Sequence, residues 1–179
     1  MKDEVIYCAL DRQNFGAGSL DGFERYQKVT RCWRLSFGGY ALKPVGYTED
    51  WSLSEKRALA ERILAGIDRG DMAYGAFIGG NIVGFAYLDV RPFGSAAQYV
   101  DLAEFYVSAP FRGRGIGRRL FAMACDGARG AAAQKLYISA HSAEDSIAAY
   151  KSYGCTEAAE INAELAEKEP YDLQLEYLL

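Results

Sequence analysis

The chain has 179 residues, half of them hydrophobic, with 20 lysines and arginines against 24 aspartates and glutamates, for a net charge of −4. That length suits one domain with a core that needs no stapling, and the acidic balance argues against nonspecific nucleic-acid binding and mildly favours a cationic partner. Apolar runs are short and interrupted, and residues 1–4 lack a signal peptide's apolar stretch, so the expectation is a cytoplasmic protein with no membrane span.

Residues 5–10 read as a strand, and residues 11–22, with Asn14, Gly16, Gly18 and Ser19, as a loop. A first helix is expected from near Leu20, with Phe23, Tyr26, Gln27 and Thr30 along one face running toward Arg31. Residues 33–37 and 40–45 flank Gly38-Gly39 in the manner of a hairpin. Ser52 and Glu55 have capping-box spacing, and Leu59, Ala60, Ile63, Leu64 and Ile67 continue at helical period until Gly70. Residues 72–78 and 82–90 then read as two antiparallel strands around Gly79-Gly80-Asn81, and residues 91–97, with Pro92, Gly94 and Ser95, as a loop long enough to move and to touch an acceptor.

Residues 99–107 are rich in aromatic, Leu and Val side chains with Asp101 and Glu104 among them, which suits a buried strand carrying two carboxylates. Strand alternation puts those carboxylates on opposite faces unless a bulge intervenes. The run Arg112-Gly113-Arg114-Gly115-Ile116-Gly117 follows, and Ile116, Leu120, Met123, Ala124 and Gly127 then repeat at helical spacing up to Gly130. Residues 135–139 read as a short strand. Ser142 with Asp145 reads as the N-cap of a helix bearing Ile147, Tyr150 and Tyr153, stopped by Gly154. A last helical turn spans residues 162–167. Leu173, Leu175 and Tyr177 alternate with Asp172, Gln174 and Glu176 as a half-exposed strand closing the sheet. Cys8, Cys32, Cys125 and Cys155 lack paired spacing and read as reduced core thiols, and the one histidine, His141, as structural or surface.

The order strand, glycine loop, helix is a phosphate-binding arrangement, because the unpaired first-turn amides and the helix dipole attract anions. Arg112, Arg114, Arg118 and Arg119 add charge at the same turn. A P-loop is excluded, since no Lys and no hydroxyl residue follow the glycines, and a dinucleotide fingerprint is weak because the glycines lie late in the chain. Arg112, Gly115 and Gly117 do fit Arg/Gln-x-x-Gly-x-Gly/Ala. On this motif the chain resembles the GNAT superfamily of acyl-CoA-dependent N-acyltransferases. Phe105 and Val107 before the loop, and residues 146–154 around Tyr150, extend the resemblance over nearly the whole chain; Ala143, Ser146 and Cys155 depart from it.

The resemblance implies an α/β (α+β) GNAT fold, a mostly antiparallel twisted sheet of six to seven strands flanked by about four helices. It implies one N-acetyltransferase domain over residues 1–179, with a hairpin added near residues 33–45. Acetyl-CoA would be the cosubstrate, with no metal, held by Phe105, Tyr106, Val107, Arg112, Gly113, Arg114, Gly115, Ile116, Gly117 and Arg118. Tyr150 would protonate the leaving thiolate, and Asp101 or Glu104 would take the proton of an amine acceptor. A backbone N–H at Val107 or its neighbour would hold the oxyanion. Trp33, Tyr40, Tyr47 and Trp51 either line the acceptor pocket or pack within the hairpin. The implied partners are acetyl-CoA and a primary amine of a small molecule or peptide, with no nucleic acid and no membrane. A homodimer is common in the family. The alternative is a non-catalytic acetyl-CoA sensor.

Overall fold

The computed structural model describes residues 4–179; residues 1–3, part of the stretch read for a signal peptide, lie outside it. In chain order the elements are strand β1 (Ile6–Ala9), β2 (Gln27–Ser36), β3 (Gly39–Glu49), helix α1 (Leu53–Asp68), β4 (Met72–Ile78), β5 (Asn81–Phe93) and β6 (Tyr99–Val107). A 3-10 turn (Ala109–Phe111) leads to α2 (Ile116–Gly130), β7 (Lys135–Ala140), α3 (Glu144–Tyr153), β8 (Thr156–Glu157), α4 (Ala163–Lys168) and β9 (Leu173–Leu178). Seven strands form one sheet in the order β1-β4-β5-β6-β7-β9-β8, and β2 and β3 form a separate two-stranded sheet. All neighbours are antiparallel except β6 and β7. No helix among the described residues is long and apolar enough to cross a membrane.

Two apolar layers cover the sheet. The apolar side of α2, with Ile116, Leu120, Phe121, Ala124 and Ala128, packs on Val83, Ala86, Leu88, Val100 and Leu136. On the other face Leu59, Ala60, Ile63 and Leu64 of α1 pack with Phe23, Ala73, Phe85 and Tyr87. The capping box forms as read: Glu55 N donates to Ser52 Oγ, and Ser52 N donates to Glu55 Oε2 at 2.7 Å.

The expected helix from Leu20 to Arg31 is absent. Residues 11–22 make turns, and Gln27 already belongs to β2. The physical reason is a period of two that competes with the apparent helical spacing: Gln27 and Val29 are buried while Lys28 and Thr30 are exposed, until the register shifts between Val29 and Arg31. The hairpin therefore extends past the expected residues 33–45 and is anchored at its base, not its tip. Trp33 N donates to Ser142 O, Arg31 pairs with Glu144, and Cys32 bridges Ala143. These contacts fasten the hairpin to the start of α3.

Three further expectations need correction. Ser142 does not cap α3, because its hydroxyl accepts from Arg34; the N-cap is Ala143, and Glu144 and Asp145 supply the negative charge of the first turn. The loop read over residues 91–97 is shorter, since β5 runs to Phe93, and its Ser95 is tied to Glu160. It enters β6 at Tyr99, the opposite end of that strand from the glycine run. Finally, β9 is an inner strand whose polar side is buried: Tyr137 donates its hydroxyl hydrogen to Gln174, and Glu176 accepts from Lys135 and Tyr99. The edge belongs to the two-residue β8, which is too short to leave a sequence signal.

Candidate active site

The site exists because two parallel strands part. The ladder between β6 and β7 ends at Asp101 and Tyr137, yet β6 runs on to Val107. Beyond Asp101 one edge of β6 has no strand beside it, and a cleft of about 540 Å³ opens there. Its walls come from β6, the glycine turn, α3 and the segment before the hairpin. Ser108 N donates to Val83 O across the Gly84–Val107 pair. In an antiparallel ladder this makes Gly84–Val107 a non-hydrogen-bonded pair, so the N–H of Val107, and by alternation that of Phe105, points away from β5 into the cleft.

At one end of the cleft stands the turn into α2. Gly113 and Gly115 have φ of +74° and +83°, and a Cβ on either would meet open space. A side chain is thus excluded by backbone strain, not by crowding. Gly115 is the N-cap and contributes no capping side chain, which leaves the first-turn amides of α2 facing the opening. Gly113, Gly115, Ile116, Gly117 and Arg118 all line it. This cradle fits the diphosphate of a coenzyme A. Gly117 acts by size: a Cβ there would lie 2.9 Å from the Tyr153 hydroxyl.

Two of the arginines behave otherwise than their position in the motif suggests. The Arg112 guanidinium bonds main-chain carbonyls through all three of its nitrogens, with Nε on Val107 O at 2.9 Å, Nη1 on Tyr26 O and Nη2 on Arg25 O at 2.8 Å each. It ties the end of β6 to residues 25–26. Arg114 lies over the Phe111 ring at 5.1 Å and is not part of the cleft wall.

Tyr150 comes from α3, whose end is set by Gly154 in the left-handed region at φ 101°. Its ring packs 5.9 Å from Phe105, and its hydroxyl has no hydrogen-bond partner among the described residues. Burial, reinforced by Tyr106 and Cys155, pushes its pKa well above the tyrosine range, so the hydroxyl keeps its proton. Tyr153 packs against Phe121 at 4.9 Å and lies under Arg118. Both rings border the cleft.

The two carboxylates share a face. Tyr87 pairs with Glu104 but Leu88 with Leu102, so Ala103 is an extra residue in β6. Because Asp101 and Glu104 oppose Asp89 and Tyr87, two residues apart on β5, the bulge cancels the alternation that would have separated them. Neither lines the cleft, though Leu102 and Ala103 between them do. Glu104 receives Arg62 of α1 at 2.8 Å, and burial raises its pKa against that attraction. Asp101 Oδ1 is enclosed and has no partner. Burial, then repulsion from Asp89 and Glu104, raises Asp101 to about 7.

Of the hairpin aromatics, Trp51 reaches the site region, 4.8 Å from Tyr106, and Tyr47 approaches His141, with 3.3 Å between Oη and Nε2. Trp33 lies under Lys151, and Tyr40 is exposed near the hairpin tip. The cleft residues not singled out as site residues from the sequence include four with polar or charged side chains that matter to its chemistry, Arg25, Gln27, His141 and Asp145. Gln27 Nε2 donates to Asp145 Oδ1 at 2.8 Å, which joins the hairpin to α3 across 118 residues of chain. Such a pairing has no local signature. His141 carried one, as the only imidazole beside a strand end, and burial keeps it below the usual histidine range.

All four cysteines are free thiols, and burial pushes Cys125 up to about 11 and Cys155 up to about 12. Among the described residues no group of three or more His, Cys, Asp or Glu side chains is arranged to hold a metal ion.

Comparison with known proteins agrees with this geometry. No curated protein sequence matches the chain. Among solved structures, a nourseothricin acetyltransferase superposes with a TM-score of 0.70 at 17% identity, covering 97% of this chain and 98% of its own. A protein from Bacillus anthracis assigned as a streptothricin acetyltransferase, solved with acetyl coenzyme A, gives 0.69 at 16% identity over 98% of both chains. The PaiA N-acetyltransferase of Thermoplasma acidophilum, solved with coenzyme A, gives 0.63 at 14% identity over 98% of this chain and 99% of its own. At these identities the likeness establishes the fold. The model of the acetyltransferase (GNAT) family matches residues 31–155, a span that holds the glycine turn, the parted strands and Tyr150. The chain therefore belongs to the acetyltransferase (GNAT) family and is an acyl-CoA-dependent N-acetyltransferase with acetyl-CoA as its cosubstrate.

Proposed function

We propose that the protein moves an acetyl group directly from acetyl-CoA to a primary amine of a small molecule or peptide, with Asp101 as base and Tyr150 as acid. The observation that carries this reading is the unpaired edge of β6, which runs from the positive-φ glycine turn past Tyr150 to the bulge beside Asp101. Amides at residues 113–118 hold the diphosphate, and the N–H groups of Phe105 and Val107 hold the pantetheine arm and the acyl oxygen in the manner of an added strand.

Each proton has a residue to manage it. Asp101, with a pKa near 7, accepts one from the ammonium through water, since it stands behind the cleft wall, and frees the lone pair that forms the new C–N bond. Tyr150 donates its hydroxyl proton to the sulfur as the C–S bond breaks, and the second proton, shed by the nitrogen as it becomes the amide, returns through water to the phenolate and restores the acid. Glu104 is fixed to Arg62, which makes it the weaker candidate for base; after burial and Asp89, its charge adds to the rise of Asp101. Arg112 contributes by positioning, through the carbonyls it clamps.

The same reading takes the whole chain as one N-acetyltransferase domain, with the β2–β3 hairpin as the added element. It places the protein in the cytoplasm, where buried thiols stay reduced. On this reading a homodimer using the C-terminal strand would form through side chains such as the exposed Leu178, since β9 is an inner strand of the sheet.

Thiol release from acetyl-CoA, followed across a panel of primary amines, tests the reading. Release that depends on the amine and saturates with it is the expected result. Saturable coenzyme A binding with no release for any amine would restore the sensor alternative.

A further inference from the structure

A buried cation in the cleft has no counter-charge. Arg25 is only 6% exposed and lines the opening, yet no carboxylate among the described residues lies within ion-pair distance of it. Its one hydrogen bond runs from Nη1 to Gln27 Oε1 at 2.9 Å, and Gln27 in turn donates to Asp145. The nearest tie to an anion thus passes through a neutral amide. A guanidinium carries five N–H donors, so most of its capacity is unspent. Burying such a charge without a partner costs several kcal/mol by general estimates of about that size, which the rings of Tyr106 at 5.1 Å and Trp51 at 5.8 Å offset only in part.

Arg25 is also held firmly. Arg112 bonds the carbonyls of Arg25 and Tyr26, Ala109 N donates to Glu24 O, and Glu24 N donates to Ser108 Oγ. These bonds fix the backbone of residues 24–26, from which the guanidinium extends over the Tyr106 ring. Tyr106 packs with Trp51 and Phe85 on the α1 side of β6, whereas Phe105 packs with Phe121, Tyr150 and Tyr153 on the α2 side. The glycine turn belongs to the α2 side, since a Cβ on Gly117 would lie 3.6 Å from both Phe105 Cζ and Val107 Cγ2. Arg25 therefore stands across the strand from the diphosphate cradle, on the face that carries Glu104.

We infer that the acceptor bears a carboxylate as well as its amine, and that Arg25 receives this carboxylate through paired N–H donors. The inference rests on the acyl-transfer reading and narrows it to amino-acid-like acceptors. A planar fork of donors aligned by Gln27 suits a carboxylate's two oxygens, and a rigid clamp at one end of the acceptor orients the amine at the other. Arg25 is then a specificity residue that touches substrate and takes no part in proton transfer.

The experiment compares the twenty amino acids, β-alanine and γ-aminobutyrate with their carboxamides, in the wild type, Arg25→Gln and Arg25→Lys. For the preferred acceptor the wild type should favour the acid over its amide by about tenfold or more in kcat/KM, the scale of one charged pair. In Arg25→Gln the ratio should fall to about one with KM for acetyl-CoA unchanged, and Arg25→Lys should restore part of it. Thermal shifts are read in parallel with coenzyme A present, acids raising Tm in the wild type and amides not. That arm decides the inference even if no amine is acetylated, a result that would instead remove the acyl-transfer reading. Amides used and bound as well as acids by the wild type, or a preference that survives in Arg25→Gln, would overturn it.

Discussion

Tyr150→Phe is expected to lower kcat by about 10²-fold or more while leaving the affinity for acetyl-CoA within about twofold of wild type, the scale of loss for a general acid. The variant removes one oxygen and keeps the ring that packs on Phe105, so the cleft wall is retained. No described residue bonds that hydroxyl, so its loss orphans no partner among them and should cost little stability. Its raised pKa keeps the group protonated through the neutral range, and its ring borders the cleft in which the proposed thioester would lie. The split between kcat and binding is the informative readout. A packing role would move both together, and an unchanged kcat would remove the assigned role altogether.

Asp101→Asn should be nearly as damaging, with kcat/KM reduced by about 10²-fold to 10³-fold. The wild-type profile should rise with pH through about 7, because the carboxyl is protonated below that value and cannot accept the amine's proton. That limb should vanish in the variant. The stability consequence has the opposite sign. A carboxyl whose pKa rises on folding binds more protons in the native state than in the unfolded chain between its two pKa values, so it costs stability as pH climbs from about 4 to 7. Asparagine carries no such charge and can donate toward Asp89 and Glu104, and at pH 8 the variant should melt higher than wild type. A variant that is both less stable and unaltered in pH profile would mean that Asp101 is a structural carboxylate. Glu104→Gln serves as the comparison, since Glu104 is already paired with Arg62 and should show the smaller loss of rate.

The parts of this site that were legible in the sequence are those encoded over a few neighbouring residues. The glycine turn is one, since the positive φ at Gly113 and Gly115 strongly favours glycine. The capping box of α1 and the Gly154 stop of α3 are others, each a contact between residues at most four apart. The bulge at Ala103 was foreseen as a condition and not as a fact, because nothing in the local composition requires the extra residue; it is visible only in the register against β5. Residues 20–31 misled because four side chains fell by chance at helical spacing, while the hairpin's attachment to α3 decided the outcome. Arg25 was missed for the same reason. It is placed by bonds from Arg112, 87 residues away, and the motif's arginine does its work on carbonyls that no pattern of neighbours could name.

The account depends most on the turn into α2 gripping the diphosphate, and calorimetric titration with coenzyme A beside pantetheine tests this directly. Two or more charge-assisted bonds to main-chain amides predict saturable binding of coenzyme A at least about 100-fold tighter than of pantetheine, which lacks the diphosphate. Equal affinity for the two, or no heat of binding with coenzyme A, would contradict it.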